Sequence, residues 1–430
     1  MRQWIKAGVA AVAALMASSA AQAETVIVHA GRVIADPAAA PLGPSTITVT
    51  DGRIVSIANG FQPAPDGARV VDQRSRTVLP GLIDLHVHLT GDPSGDFWRE
   101  AVDPDEWGVV LGVRNAQRTL RAGFTTVREA GSARQTAFVL RRGIDAGVIS
   151  GPRIIAAGPA LSIIGGHGDV TGFREDVIHA LSSGFTCTGA QECAARVREA
   201  SRAGSDVIKV TVTGGVLSQQ GRGLEAHFTP EELSSIVTTA HSLGLRVMGH
   251  AHGARGIEAA ARAGFDTIDH GTFLDDAGAR EMRTRGGYLV PTLRALTQVR
   301  SGLGRNIYTP TVETKIRETL EHLGRNVQAA RRNGVPVAFG TDAGVFPHGE
   351  NGQEFQLLVD AGMTPREALV SATTTAARAL GMEREIGRLA PGYAGDMIAV
   401  DGDPLTDARV LERVQWVMAR GRTPDLSAVR

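Results

Sequence analysis

The chain has 430 residues, 43% of them hydrophobic and only 4% aromatic, so Ala, Val, Leu and Ile must pack most of a large core. Lys and Arg together number 45, as do Asp and Glu, and this lack of net field argues against nucleic acid or an anionic membrane surface as partner. At roughly 150 residues per domain the length would divide into two or three, but α/β barrels of about 250 residues or more escape that rule as single units.

Residues 1–23 have the pattern of a signal peptide: Arg2 and Lys6 at a basic start, an apolar run from Ala7 to Met16, then Ala21-Gln22-Ala23 as a small-residue cleavage site. A buried N-terminal helix is the competing reading. The run is shorter than the ~20 residues that span a bilayer, and no later apolar stretch is long and uninterrupted enough to do so. The expectation is therefore export, periplasmic or secreted, with a mature chain beginning near Glu24 and no membrane span.

Over 24–79 short strands alternate apolar and polar residues, with Asp51-Gly52 as a hairpin signal between STITVT and RIVSIAN. The same texture returns over 382–430 in GDMIAVDGDPL and RVQWVMARGR. Both chain ends are expected to build one small β-sandwich domain together. Between them, over 80–381, short apolar strands alternate with amphipathic helices. The strand candidates are LIDLHVH, TTVREAG, RIIAAG, VIKVTVT, RVMGHAH, TIDHG, YLVPT and VAFGTDAG, with helices such as PEELSSIVTTAHSLG and ARGIEAAARAG between them. Eight such strands suit a (β/α)8 TIM barrel. An open doubly wound sheet is the alternative, but no GxGxxG follows the first strand, and the polar residues gather at strand C-terminal ends, where barrels keep their active sites. Cys187 and Cys193, six residues apart, could form a local disulfide in an oxidising compartment. Two free buried thiols fit the sequence equally well.

The chemistry-bearing residues sit at those strand ends. In Gly81-Leu82-Ile83-Asp84-Leu85-His86-Val87-His88, the two histidines are two apart on a strand and project to the same side. His250 closes LRVMGH, His270 closes DTIDH and Asp342 closes VAFGTD. A barrel would bring all of them to one rim, and imidazole with carboxylate suits zinc and similar divalent metals. Lys209 lies in the apolar strand VIKV. An unpaired buried lysine is costly, so either its ammonium pairs with a barrel carboxylate, or carbon dioxide converts it to a carbamate that serves as an anionic ligand.

The order HxH, Lys, His, His, Asp along these strands resembles the binuclear branch of the amidohydrolase superfamily. More narrowly, LPGLIDLHVHL, GGHGD, IKVTVTGGVLS, GHAHG, IDHGT and GTDAGVFPHGENGQE resemble exported Xaa-Pro/Xaa-Arg dipeptidase-like members, a branch that includes enzymes hydrolysing the ochratoxin amide. The resemblance implies two divalent metal ions, zinc by expectation. His86, His88 and Asp342 would hold one, His250 and His270 the other, and carboxylated Lys209 would bridge them. It further implies that a metal-bridged hydroxide attacks the amide of a small dipeptide or N-acyl amino acid, with Asp342 moving the proton to the leaving nitrogen. His252, also a candidate catalytic group, would with His167 contact the substrate carbonyl or carboxylate, and His348 is a third candidate substrate contact. His252, two residues from His250, could also replace it as a ligand. Arg222 and Arg294 are candidate partners for a substrate carboxylate, though ordinary surface charge explains them as well. Members of the branch form homo-oligomers, and one is expected here.

Two other functions compete. A cyclic-amide hydrolase or deaminase of the same superfamily generally uses one metal and lacks the lysine, so Lys209 weighs against it. A non-catalytic scaffold on the same fold would be expected to have lost ligands, and none is missing.

Overall fold

A computed structural model describes residues 24–92, 97–219 and 223–426. Segment 1–23, where a signal peptide is expected, and Arg222 lie outside the described residues. The N-terminal strands are β1 (Thr25–Val33), β2 (Ser45–Thr50), β3 (Arg53–Asn59) and β4 (Arg69–Pro80). Asp51 and Gly52 turn β2 into β3 with φ of 49° and 79°, the left-handed conformation that Asp and Gly tolerate best.

Among the described residues the alternating region supplies seven regular strands. β5 (Leu82–Val87), β6 (Phe124–Glu129) and β7 (Arg153–Ala156) form one parallel sheet. β8 (Val207–Thr211), β9 (Arg246–Ala251), β10 (Thr267–His270) and β11 (Tyr288–Val290) form another. Nearly every residue in them is buried, which explains their continuous apolar runs, since helices cover the outer face and strand neighbours fill the inner one. Helix boundaries follow the sequence signals. Thr229 and Glu232 make a reciprocal capping box at the start of helix Pro230–Ser242. Gly264, at φ 96°, ends helix Ala254–Ala263.

The eighth expected strand, VAFGTDAG, is not a regular one. It nevertheless bonds on both sides. Ala338 N–H donates to Leu289 O at 2.8 Å toward β11, and Leu85 N–H donates to Phe339 O at 3.0 Å toward β5. Regularity is lost because Pro336 has no donor, Phe339 N–H turns away to Ser371 O, and Asp342 adopts φ 62°. Between β7 and β8 a similar irregular link runs through Leu161, whose N–H donates to Lys209 O while its O accepts from Thr211 N–H. The first link bonds to β11 and β5 and the second lays the segment after β7 along β8, in the mixed α/β alternation expected of the sequence.

The chain returns through β12 (Met397–Val400) and β13 (Val414–Met418) to meet the N-terminal strands. Among the described residues the ends share one six-stranded sheet, in the order β13-β12-β4-β1-β2-β3. The 12-residue β4 serves two partners, pairing with β1 along most of its length and with β12 at its end. A bulge between Ala30 and Arg32 bends β1, and the sheet curls until Ile54 N–H reaches Tyr393 O at 2.9 Å, just before β12. Val28, Ile47, Ile54, Met397 and Met418 then share one buried cluster. Cys187 and Cys193 are joined as a disulfide, their Cα atoms 5.1 Å apart. No helix among the described residues is long and apolar enough to cross a membrane.

Candidate metal centre

His86 ends β5 and His88 follows it, and the segment carrying Asp342 runs alongside: Asp342 N–H donates to His86 O at 2.7 Å, and His88 N–H to Ala343 O at 2.7 Å. This register sets Asp342 Oδ1 at 3.6 Å from His86 Nε2 and 3.4 Å from His88 Nε2. A second group forms from β9 and β10, where candidate ligand atoms of His250, His252 and His270 lie within 4.8 Å of one another. The groups adjoin, since the ring centroids of His86 and His270 are 4.9 Å apart. Lys209 comes up from β8 between them, its Nζ 3.5 Å from His86 Nε2.

The other ring nitrogen of each histidine is occupied. His86 Nδ1–H donates to Asp269 Oδ2 at 2.7 Å, and His88 Nδ1–H to Gly131 O at 2.9 Å. His270 Nδ1 lies 2.7 Å from Thr292 Oγ1, and His252 Nδ1 lies 2.7 Å from Thr272 Oγ1. His250 Nε2–H donates to Gly214 O at 3.3 Å. Such outer partners fix the tautomer and aim the remaining nitrogen, as metal-ligating imidazoles require. Burial holds His86, His250 and His270 well below the ordinary imidazole range and His88 at about 4, so all four are neutral, the form that binds metal. Burial also raises the Asp342 carboxyl and lowers the Lys209 ammonium, each opposed by the other's charge. The backbone is strained here: His270, Thr292 and Asp342 have φ of 69°, 51° and 62°. Left-handed geometry is costly for a β-branched threonine, and such outliers gather at functional sites.

Other expected residues divide. His167 reaches the centre, its ring centroid 4.2 Å from that of His250 and its Nδ1 2.5 Å from Ser218 Oγ. His252 is buried among the ligands, 4.7 Å from the His250 ring. His348, expected as a substrate contact, has both its ring nitrogens facing protein, Nδ1 toward Thr119 Oγ1 at 2.9 Å and Nε2 toward His88 O at 3.2 Å. It holds the backbone of His88. Arg294 is also committed, to Glu350 at 2.6 Å and over the Phe346 ring at 4.6 Å.

Sequence reasoning missed a layer of buried charge beneath the ligands. Arg128 pairs with Asp269 at 2.9 Å and donates to Leu85 O at 2.6 Å, so Arg128, Asp269 and His86 form one chain. Asp84 accepts from Thr341 Oγ1 at 2.6 Å and Asn351 Nδ2 at 2.8 Å, tying β5 to the segment that bears Asp342. Charged residues inside short apolar strands (IDL, VRE, IDH) were the available signal. Glu129 belongs to this layer. Its Oε2 accepts from Leu89 N–H at 2.6 Å, whereas Oε1 is buried with no hydrogen-bond partner among the described residues. Burial pushes its carboxyl up to about 8 from 4.5. Between those values the folded state keeps a proton that the unfolded state releases, so this stabilisation is lost as pH rises through the window. In metal-stripped protein, Glu129→Gln should therefore gain melting temperature over the wild type progressively from pH 5 to pH 8. A gap that does not change with pH would mean that Glu129 is already ionised in the fold.

Residues 77–423 match the family model described as Amidohydrolase family. The chain is 30% identical to ochratoxinase from Aspergillus niger over 94% of its own length and 86% of the relative's. Among solved structures it resembles a Xaa-Pro dipeptidase with bound methionine in the active site (TM-score 0.87, 35% identity, 93% of this chain and 100% of that one). It also resembles a prolidase complexed with N-methylphosphonate-L-proline (TM-score 0.85, 29% identity, 93% and 99%).

Proposed function

This chain belongs to the amidohydrolase family, and from that premise we propose that it is an exported binuclear metallohydrolase releasing the C-terminal residue of small dipeptides or N-acyl amino acids. It is a hydrolase of carbon–nitrogen bonds, and its relatives make amide bonds the target. One observation carries the finer reading: a histidine–carboxylate group and a three-histidine group adjoin, with a buried lysine between them. In this proposal His86, His88 and Asp342 would hold one divalent cation and His250 and His270 the other, with carboxylated Lys209 as a shared ligand and zinc the favoured metal. The lowered Lys209 ammonium supports this, since only a neutral amine can add carbon dioxide. When bound, such a pair of cations polarises a carbonyl and lowers the pKa of water toward 7.

The chain's own groups do the rest. Asp342 accepts the nucleophile's proton and passes it to the leaving nitrogen, a role suited to a carboxyl whose proton affinity burial has raised. With the Thr272 hydroxyl donating to His252 Nδ1, His252 Nε2–H is available to donate to the substrate carbonyl, and His167 flanks it. The Cys187–Cys193 disulfide supports the export reading. A homo-oligomer is proposed as well, supported by the exposed apolar residues Trp98, Val102, Trp107 and Val110.

The three-histidine group also supports a second reading. His250, His252 and His270 could hold a single cation without Lys209, as in a cyclic-amide hydrolase or deaminase. Metal analysis of the purified protein, with hydrolysis of an Xaa-Pro, Xaa-Arg and N-acyl-Phe panel, separates the two. We expect close to two metals per chain and amide cleavage that chelation abolishes. One metal and no cleavage of the panel would reject the proposal in favour of the second reading.

A further inference from the structure

Three of the 45 basic residues are lysines, Lys6, Lys209 and Lys315, and every other one is arginine. The two within the described residues are both buried, each at 4% exposure. Lys209 belongs to the centre described above. Lys315 has no part in it so far. It lies on helix Pro310–Leu320, and its Nζ donates to Gly215 O at 2.8 Å and to Ser218 O at 2.6 Å. Both acceptors are neutral carbonyls, and among the described residues no carboxylate lies within ion-pair distance. An ammonium has three protons, so one remains after these two bonds, together with a whole uncompensated charge. A buried cation without a counter-ion is costly, and an anion brought to it would offset that cost.

The place is next to the centre. Gly215 lies against His167 so closely that a Cβ there would come within 2.3 Å of the ring. Ser218 Oγ contacts His167 Nδ1 at 2.5 Å, and His167 in turn stacks near His250. The cation is therefore one loop removed from the metal ligands. Of the two arginines expected as candidates for an anionic substrate group, Arg294 is spent on Glu350 and Arg222 lies outside the described residues.

We propose that Lys315 is a specificity-determining residue that binds the free carboxylate of the substrate's C-terminal residue on the His167 side of the centre. Lysine suits the task, because its compact point charge can keep two carbonyl bonds and still turn one proton to a guest. The carboxylate would then lie one residue from the scissile amide, restricting the enzyme to substrates with a free C-terminus. This inference rests on the amide-hydrolase reading of the centre.

The test compares N-acetyl-L-phenylalanine with its carboxamide, in binding by calorimetry and in hydrolysis, on the metal-loaded protein. Lys315→Gln keeps two N–H donors for the loop carbonyls while removing the charge, and Lys315→Met removes both. Metal content and melting temperature identify any variant that fails to fold. We expect the wild type to prefer the carboxylate by about 30-fold or more, the scale of a charge-assisted hydrogen bond. Lys315→Gln should abolish that preference through KM and Kd, changing the carboxamide less than about 3-fold. A preference that survives in folded Lys315→Gln, an equal loss on both ligands, or binding of neither ligand by the wild type would overturn the proposal. If the wild type binds the carboxylate selectively through Lys315 but cleaves no amide, the reading of the reaction fails and the carboxylate site stands.

Discussion

Asp342→Asn should lower kcat by about 1,000-fold or more while leaving a folded protein. The magnitude combines loss of proton transfer, worth roughly 100- to 10,000-fold, with a weaker hold on the metal beside His86 and His88. The fold should survive for a local reason. Asp342 stands at φ 62°, and asparagine is among the few residues that accept the left-handed region readily. The backbone bonds that place it, Asp342 N–H to His86 O and His88 N–H to Ala343 O, are indifferent to the side chain. Steady-state kinetics should be read together with metal content, since an amide oxygen remains a possible weak ligand. A variant that keeps both metals and still loses kcat isolates the acid–base role. Turnover near the wild-type rate would remove Asp342 from the chemistry altogether.

Why Asp342 was legible from sequence while its supports were not is a matter of distance along the chain. His86, His88, His250, His270 and Asp342 each close an apolar strand, so a local pattern marks them and the alternation of strand and helix gathers them. The residues that orient them are partners of long separation. Asp269 meets His86 across 183 positions, and Asn351 meets Asp84 across 267. A buried arginine such as Arg128 shows only as a charge inside VRE, with no sign of whether it faces solvent or Asp269. His348 shows the same dependence: its place after the last strand suggested substrate, and only the fold reveals its ring set between Thr119 and His88 O. The curled six-stranded sheet was half readable for the same reason, because alternation identifies strands while the bulge after Ala30 and the double pairing of β4 decide how they close. Whether Cys187 and Cys193 bond depended on the turn between them, which brings their Cα atoms to 5.1 Å.

Lys209 carries the other large effect. Its strand is apolar on both sides and its amine is buried between two ligand groups, so replacement with methionine preserves shape and removes only the amine. In metal-free protein Lys209→Met should fold about as well as the wild type, because relief from burying the amine offsets the loss of its attraction to Asp269 and Asp342. With metal supplied, the order reverses. If the lysine becomes a bridging carbamate, the variant should fall from two metals per chain to one or none. It should also forfeit the stabilisation that ligand binding gives the native state, which grows as RT ln(1 + [L]/Kd). Loss of partners that merely orient a metal ligand typically costs 10- to 100-fold in affinity or activity, so removal of a bridge should exceed about 100-fold in kcat/KM. Lys209→Gly, with room left in the strand, offers a complementary readout: a short carboxylic acid such as propionate should restore part of both metal content and activity by supplying the two missing oxygens. Two metals and near wild-type activity in Lys209→Met would assign the lysine a structural ion-pairing role with Asp269 and Asp342. The three histidines of β9 and β10 would then hold their cation, and His86, His88 and Asp342 theirs, without help from the lysine.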